Sequence, residues 1–136
     1  MNYKHYVLII LVFATVIRFI SLTSRYFWCD EASSVLTSRF DVDDLLYHAS
    51  FDVHPPLYYL LLHGWMALFG ESIMATRSLS LIFGVMTVAV AIGFMRWLAN
   101  ERAALLAGWL MAIMPIAVRY SQEARMYALM GLLVIA

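Results

Sequence analysis

The chain has 136 residues, of which 64% are hydrophobic and only 13% are charged, about half the charged fraction of an ordinary soluble domain. Nine Lys and Arg balance nine Asp and Glu, so the formal net charge is zero and no basic excess points to nucleic acid. A single cysteine, Cys29, excludes an internal disulfide and any multi-cysteine metal site. The composition therefore predicts an all-α, polytopic integral membrane protein whose partners include membrane lipids.

Long apolar segments predict four membrane-spanning helices, at about residues 6–23, 78–99, 103–119 and 126–136. Their lengths matter because crossing the ~30 Å hydrocarbon core takes about 20 helical residues. No small-residue cleavage site follows the first segment, so we expect an uncleaved anchor, with a cleaved signal peptide as the alternative. The last segment is cut off at residue 136, which predicts a fragment of a longer multi-pass protein.

The topology follows from charge and segment length. Lys4 and His5 precede the first segment and predict a cytoplasmic N-terminus in the cell (inner or plasma) membrane. The apolar segment at 57–70 is only about 21 Å long as a helix, which favours a helix lying at the outer interface. In that arrangement the outer loop at 24–77 and the loop near Glu123 share one face. If the segment crosses instead, the two loops lie on opposite faces.

Two polar stretches organise the outer loop. The motif "DVDD" predicts a short helix with Asp41 as its N-cap. The motif "DVHPP" at 52–56 removes backbone donors and disfavours the helical region before each proline, so it predicts a rigid presenter for Asp52 and His54. A stiff turn that merely begins the next helix is an equally good interpretation.

Adjacent acids in "CDEA" follow the first segment. Asp30 as a helix N-cap, with Glu31 beginning the helix, is one interpretation because anions are favoured at helix N-termini. The other is a general base that accepts a proton from a hydroxyl nucleophile. The motif "SQEAR" offers Glu123 as a second acid and Arg125 as a cation able to bind phosphate in a bidentate manner, although membrane-flanking arginines also snorkel to the interface.

The motifs "WCDEA", "DVHPPLYYLLLHGWMALFGES", "ATRSLSLIFG" and "YSQEARMYAL", in this order and spacing, resemble the N-terminal part of membrane glycosyltransferases of the GT-C superfamily. The resemblance is greatest to the group that includes protein O-mannosyltransferases and lipid A aminoarabinose transferases, and it extends from about residue 6 to residue 136. It implies inverting transfer of a monosaccharide from a polyprenyl-phosphate donor to a lipid, protein or polysaccharide acceptor on the outer face.

The same resemblance implies roles for the motif residues. Asp30 corresponds to the first-loop acid that acts as general base, and Glu31 is its neighbour in the catalytic motif. His54 and Pro55 belong to the "HPPL" motif that shapes the substrate cavity beneath that loop.

Three further residues are implied to bind substrate. Arg77, at the start of the next span, matches an arginine important in the mannosyltransferase branch, with an interfacial anchor as the alternative. Glu123 corresponds to an acid of the second outer loop, and Arg125 is the candidate phosphate ligand.

The chemistry requires no nucleotide, and the sequence contains neither "GxGxxG" nor a P-loop. No cofactor is required and no metal ligand is assigned, although a divalent cation near the first-loop acid is compatible with the acids present. A transporter fragment or a non-catalytic membrane protein is the alternative. Transporters place charges or broken helices at mid-membrane, whereas the predicted spans around 78–93 and 103–118 are uncharged and the acids cluster in loops.

Overall fold

A computed structural model of the chain describes residues 2–20, 22–24, 26–52 and 54–136. Within these ranges the chain forms helices and connecting loops without a β-strand, which confirms the predicted all-α class. The helices, in chain order, are α1 (Tyr3–Phe19), α2 (Cys29–Thr37), α3 (Val42–Ala49), α4 (Leu57–Phe69), α5 (Ile73–Leu98), α6 (Glu101–Ile113), α7 (Pro115–Ser121) and α8 (Tyr127–Ile135).

Helix α5 is the centre of the fold. It packs against α1, α4, α6, α7 and α8. Among the described residues, α5 is the one single helix long and apolar enough to cross a membrane, and α6 with α7 passes the same test as a bent pair. Length and composition thus support one or two of the four predicted spans, and the multi-pass arrangement stays a prediction.

The helix that contains most of the predicted span at 78–99 begins five residues before that span. Helix α5 begins at Ile73, where the Ser72 hydroxyl accepts a hydrogen bond from the Ala75 N–H and caps the helix. Arg77 lies inside this helix, one turn after its start, and is buried within the protein.

The segment of the predicted span at 103–119 contains a break. Helix α6 ends at Ile113, Met114 adopts a non-helical ψ of 117°, and α7 begins at Pro115 with a 61° change of direction. Proline lacks the N–H that would continue the helix and disfavours the helical region for the residue before it. A broken helix is one of the features expected of a transporter, so span continuity no longer separates the two classes.

The remaining boundaries differ less. Helix α1 covers Tyr3–Phe19 rather than 6–23, and α8 covers Tyr127–Ile135. Helix α4 matches the predicted segment at 57–70 closely, because Gly70, with a φ of 83°, ends it. The predicted loop at 24–77 includes residues 25 and 53, and the first predicted span includes residue 21, which lie outside the described residues.

Helices α2 and α3 occupy the first loop. Asp41 is the N-cap residue of α3, as predicted. Asp30 is not the N-cap of α2, because this helix begins at Cys29 with Trp28 as its N-cap residue. Both acids therefore lie within the first turn of α2, where carboxylates interact favourably with the helix dipole.

Two apolar clusters form the core. One lies between α1, α5 and α6 and includes Ile10, Val88 and Ala104. The other lies between α2, α3, α4, α5 and α8 and is built around buried residues such as Leu45 and Leu62. This second cluster supports the first loop against the helices, and so places the two acids of α2 beside the residues that precede α8.

Candidate active site

Glu31 and Arg77 form a buried, bidentate ion pair. Arg77 Nε donates to Glu31 Oε1 at 2.8 Å, and Arg77 Nη2 donates to Glu31 Oε2 at 2.8 Å. Their side chains are 2% and 4% exposed. Arg77 also donates to the carbonyl oxygens of Leu22 and Tyr26. The pair therefore fastens α2 and the end of the first loop to α5.

Glu31 also holds the loop before α8. Its Oε1 accepts a hydrogen bond from the Ala124 N–H at 2.8 Å, and its Oε2 accepts one from the Trp28 N–H at 3.2 Å. Burial alone would raise the pKa of Glu31, but the hydrogen bonds from Arg77, Ala124 and Trp28 outweigh it and hold this pKa below its ordinary value. Glu31 thus links three segments through hydrogen bonds that favour its ionised form.

Asp30 has the opposite environment. Its side chain is 58% exposed, and its Oδ2 lies 4.0 Å from Arg125 Nη2. Of the two predicted catalytic acids, Asp30 is therefore the one whose carboxylate is accessible from outside the protein.

Arg125 is mostly buried between α2 and α8. Its Nη1 donates to the Asp30 carbonyl oxygen at 3.2 Å and to Ser34 Oγ at 3.3 Å, and its guanidinium carbon lies 5.6 Å from the centre of the Tyr127 ring. Among the described residues, Arg125 Nε is buried without a hydrogen-bond partner. The guanidinium is thus held in place by neutral groups, and its charge is only partly balanced by Asp30.

The "DVHPP" motif forms a second polar chain close to Arg125. His54 Nδ1 lies 2.8 Å from Asp52 Oδ1, and the Tyr59 hydroxyl donates to Asp52 Oδ2 at 2.6 Å. Burial, and then the hydrogen bond to Asp52, raise the pKa of Tyr59, whereas the nearby charge of Arg125 lowers it. The tyrosine stays protonated and fixes Asp52, which in turn orients the His54 ring beside Pro55.

Glu123 lies at an open cavity of about 680 Å³. Its Oε1 accepts a hydrogen bond from Arg119 Nε at 3.2 Å, and the Arg119 side chain is 68% exposed. The cavity lies between the end of α1, the first loop, α5 and the α6–α7 break, and is lined by Ile17, Ser24, Tyr26, Phe27, Trp28, Glu31, Arg77, Ile113, Pro115, Val118, Arg119, Gln122 and Glu123.

The predicted site residues thus fall into two adjoining groups. Glu31, Arg77 and Glu123 line the cavity, whereas Asp30 and Arg125 lie close to each other and are not among its lining residues. The hydrogen bond from the Ala124 N–H to Glu31 Oε1 connects the two groups.

Three contributors to the site were not predicted from the sequence: the Ser34 hydroxyl, the Tyr59 hydroxyl and the Ala124 N–H. Ser34 follows Asp30 by one helical turn, so helical spacing could have placed it on the same face. The other two depend on contacts between distant segments.

No group of three or more His, Cys, Asp or Glu that could hold a metal occurs among residues 2–20, 22–24, 26–52 and 54–136. Two carboxylates of the candidate site have other partners: Glu31 pairs with Arg77, and Asp52 contacts His54.

Comparison with known proteins assigns the amino-acid sequence to a family. The family model described as dolichyl-phosphate-mannose-protein mannosyltransferase matches residues 53–136, more than half of the chain. The chain belongs to this family. Membership confirms the resemblance drawn from the motifs and indicates a membrane-embedded glycosyltransferase of the GT-C type. Neither a curated protein nor a solved structure matches the chain at a significant level.

The match to the mannosyltransferase family begins after the first loop, not at residue 6 as the motifs suggested. It therefore includes His54, Arg77 and Arg125 but not the two acids of α2. The structure connects those acids to the matched part of the chain, because Glu31 binds Arg77 and Asp30 lies beside Arg125.

Proposed function

We propose that the protein transfers a monosaccharide from a polyprenyl-phosphate donor to an acceptor hydroxyl on the extracytoplasmic face of the membrane. One observation carries the proposal: the exposed carboxylate of Asp30 lies 4.0 Å from the guanidinium of Arg125. A base for the acceptor and a cation for the departing phosphate are the two groups that the reaction needs. The family membership supports glycosyl transfer in general.

In the proposed reaction, Asp30 accepts the proton of the acceptor hydroxyl as the acceptor oxygen attacks the anomeric carbon. The bond between that carbon and the phosphate oxygen breaks, and its electron pair leaves with the lipid phosphate. Attack from the face opposite the phosphate inverts the anomeric configuration. Arg125 stabilises the charge of the departing phosphate, since guanidinium binds phosphate through charge-assisted hydrogen bonds.

Other residues position the substrates in this proposal. The cavity of about 680 Å³ has the size of a small-molecule site and provides both aromatic walls and charged groups. Glu123 and Arg119 bind sugar or acceptor hydroxyls at its rim. The oriented ring of His54, stiffened by Pro55, contacts the donor near Arg125. The Glu31–Arg77 ion pair keeps α2, and with it Asp30, aligned with the loop before α8.

The setting of the reaction is likewise proposed. The protein is a multi-pass protein of the cell membrane with its N-terminus in the cytoplasm, and it needs no cofactor for this chemistry, although a divalent cation is compatible with it. The acceptor is a hydroxyl of a lipid, a protein or a polysaccharide. The glycosyltransferases that the motifs resemble are longer than 136 residues, so we assign transfer to the full-length protein.

The proposal predicts that Asp30→Asn lowers kcat by a factor of about 10²–10⁴, the usual contribution of a general base. Transfer is measured in membranes containing the full-length protein, with labelled mannose, other hexoses and aminoarabinose supplied as polyprenyl-phosphate conjugates. Asp44→Asn is the matched control, because Asp44 is an exposed carboxylate of the same loop. Unchanged transfer by Asp30→Asn would exclude Asp30 as the base. Absence of transfer from every donor by the native protein would contradict the proposed function.

A further inference from the structure

Arg18 lies in the last turn of α1 and is 1% exposed, although no role in the reaction has been assigned to it. Its guanidinium donates to four acceptors. Nη1 donates to the carbonyl oxygens of Ala14 and Ala112, Nη2 donates to that of Met111, and Nε donates to Ser121 Oγ, with distances of 3.1–3.2 Å. A buried charge with so many partners joins α1 to both α6 and α7.

Two of those acceptors, the carbonyl oxygens of Met111 and Ala112, lie in the last turn of α6, just before the helix break. In a continuous helix the carbonyl of Met111 would accept a hydrogen bond from the N–H of residue 115, but that residue is proline. The non-helical Met114 likewise redirects the chain away from Ala112. Buried carbonyl oxygens without partners are costly, and more so in lipid. Arg18 supplies the missing donors at the bend.

The same side chain also fixes the far end of α7. Arg18 Nε binds Ser121, the last residue of α7, and Gln122 Nε2 donates back to the carbonyl oxygen of Arg18 at 3.0 Å. Gly84 of α5 allows Ser121 and Arg18 to pack closely against this helix, because a Cβ at position 84 would lie 2.6 Å from the Ser121 Cβ and 3.2 Å from Arg18 Nε. One guanidinium therefore joins the last turn of α6 to the last residue of α7.

We propose that Arg18 is a positioning residue for the segment at 122–125. This segment follows α7 directly and carries Glu123 and Arg125. It is also held by the Ala124 N–H on Glu31, by Ser80 Oγ, which donates to the Arg125 carbonyl oxygen, and by the bonds from the Arg125 guanidinium to α2. With the last turn of α6 and the last residue of α7 joined through this guanidinium, the direction of α7 is set and Arg125 is held beside Asp30. Loss of the Arg18 guanidinium frees α7 to change its angle, and Arg125 then moves away from the acid.

Hydrogen–deuterium exchange in detergent, measured on the full-length protein, tests the inference without requiring activity. Arg18→Met is expected to speed exchange at 121–126 by about tenfold or more, while exchange in α4 stays unchanged. Arg96→Met is the control, since Arg96 makes an exposed ion pair with Glu101. Exchange that is unchanged at 121–126, or that rises equally in every helix, would overturn a positioning role.

A double variant separates positioning from stability. Pro115→Ala restores the N–H that can pair with the Met111 carbonyl, so Arg18→Met with Pro115→Ala is expected to recover the thermal stability of the native protein. Exchange at 121–126 is expected to stay fast, because Ser121 remains without its anchor. Recovery of slow exchange in the double variant would show that Arg18 merely satisfies the carbonyl oxygens.

The kinetic consequence rests on the proposed function. Arg18→Met is expected to lower kcat by about 100-fold, as misplacement of a reactive group by about 1 Å does, with little change in the donor KM. Arg18→Lys should restore little of the kcat, because one ammonium cannot serve acceptors on both sides of the bend. If the native protein transfers no sugar, the exchange experiments still decide the positioning role. A kcat that is unchanged in Arg18→Met would overturn it.

Discussion

Asp30 and Glu31 are neighbours in sequence with opposite environments. Adjacent side chains of a helix point in directions about 100° apart, so one turn of α2 can bury one acid and expose the next. Glu31 faces Arg77 and the Ala124 N–H, whereas Asp30 lies at the surface beside Arg125. The structural interpretation of the acidic pair therefore fits Glu31, and the proposed catalytic role is the one assigned to Asp30.

Glu31→Gln should destabilise the protein by about 3–5 kcal/mol, because it leaves the Arg77 guanidinium buried without its counterion. Thermal unfolding in detergent measures the change. Glu71→Gln is the matched control, since Glu71 pairs with Arg39 while both side chains are about half exposed, and exposed pairs contribute about 0–1 kcal/mol. Equal, small effects of the two variants would show that the Glu31 pair does not hold the fold.

The lowered pKa of Glu31 also predicts an acid dependence. Because the folded-state pKa lies below the unfolded value of about 4.5, the stabilisation by ionised Glu31 is complete above pH 4.5 and falls as the pH drops through the folded-state pKa. Melting temperature measured between pH 6 and pH 3 should fall more steeply in the native protein than in Glu31→Gln. Parallel curves would contradict the assignment.

At the scale of elements, α5 is both the best candidate span and the surface on which the site is assembled. Its first turns carry Arg77, and its middle carries Gly84, where α7 approaches most closely. Small residues allow such approaches between membrane helices. The segment that bears Arg125 is thus positioned by a contact about two turns further along α5 than the ion pair that positions Asp30.

Gly84→Ala tests the close approach of α5 and α7. The added methyl would collide with the Ser121 hydroxyl, so we expect destabilisation of about 1–3 kcal/mol by overpacking. Gly93→Ala, in the same helix with open space around its Cβ position, should instead stabilise the protein by about 0.5–1 kcal/mol. Thermal unfolding of both variants checks the difference, and a stabilising Gly84→Ala would contradict the packing described here.

At the scale of the whole molecule, the candidate site joins segments that are far apart in sequence. The Ala124 N–H and Glu31 are 93 residues apart, and Arg77 and Glu31 are 46 residues apart. Because these contacts join α2 to the loop before α8, the two acidic loops lie at the same end of α5. That arrangement agrees with the predicted topology, in which α4 lies at the interface and both loops share one face of the membrane.

Cysteine accessibility tests this topology. In a Cys29→Ser background, Asp30→Cys and Glu123→Cys should react with a membrane-impermeant thiol reagent added from outside intact cells. Asn100→Cys, in the exposed turn between α5 and α6, should react only after the membrane is opened, since α5 is about 39 Å long. Labelling of positions 30 and 123 from opposite faces would refute the shared outer site. Position 31 is unsuitable because Glu31 is buried.

The sequence by itself determined the helical class, the apolar segments, the helix at 57–70, the cap at Asp41 and the family. These properties follow from composition and from the order of neighbouring residues, and both can be read locally. It also determined which acids and cations are available for chemistry, because the motifs contain them.

Only the tertiary structure decided which of those groups are free to react. Glu31 and Arg77 form a buried ion pair that holds helices together, whereas Asp30 lies exposed beside Arg125. A charge that is removed from water needs a counterion, and the packing of the helices decides which one it meets. The same requirement placed Arg18 at the break before Pro115, 93 and 94 residues away from the carbonyl oxygens that it satisfies. Local patterns cannot specify such contacts, since they depend on how α1, α5, α6 and α7 pack together.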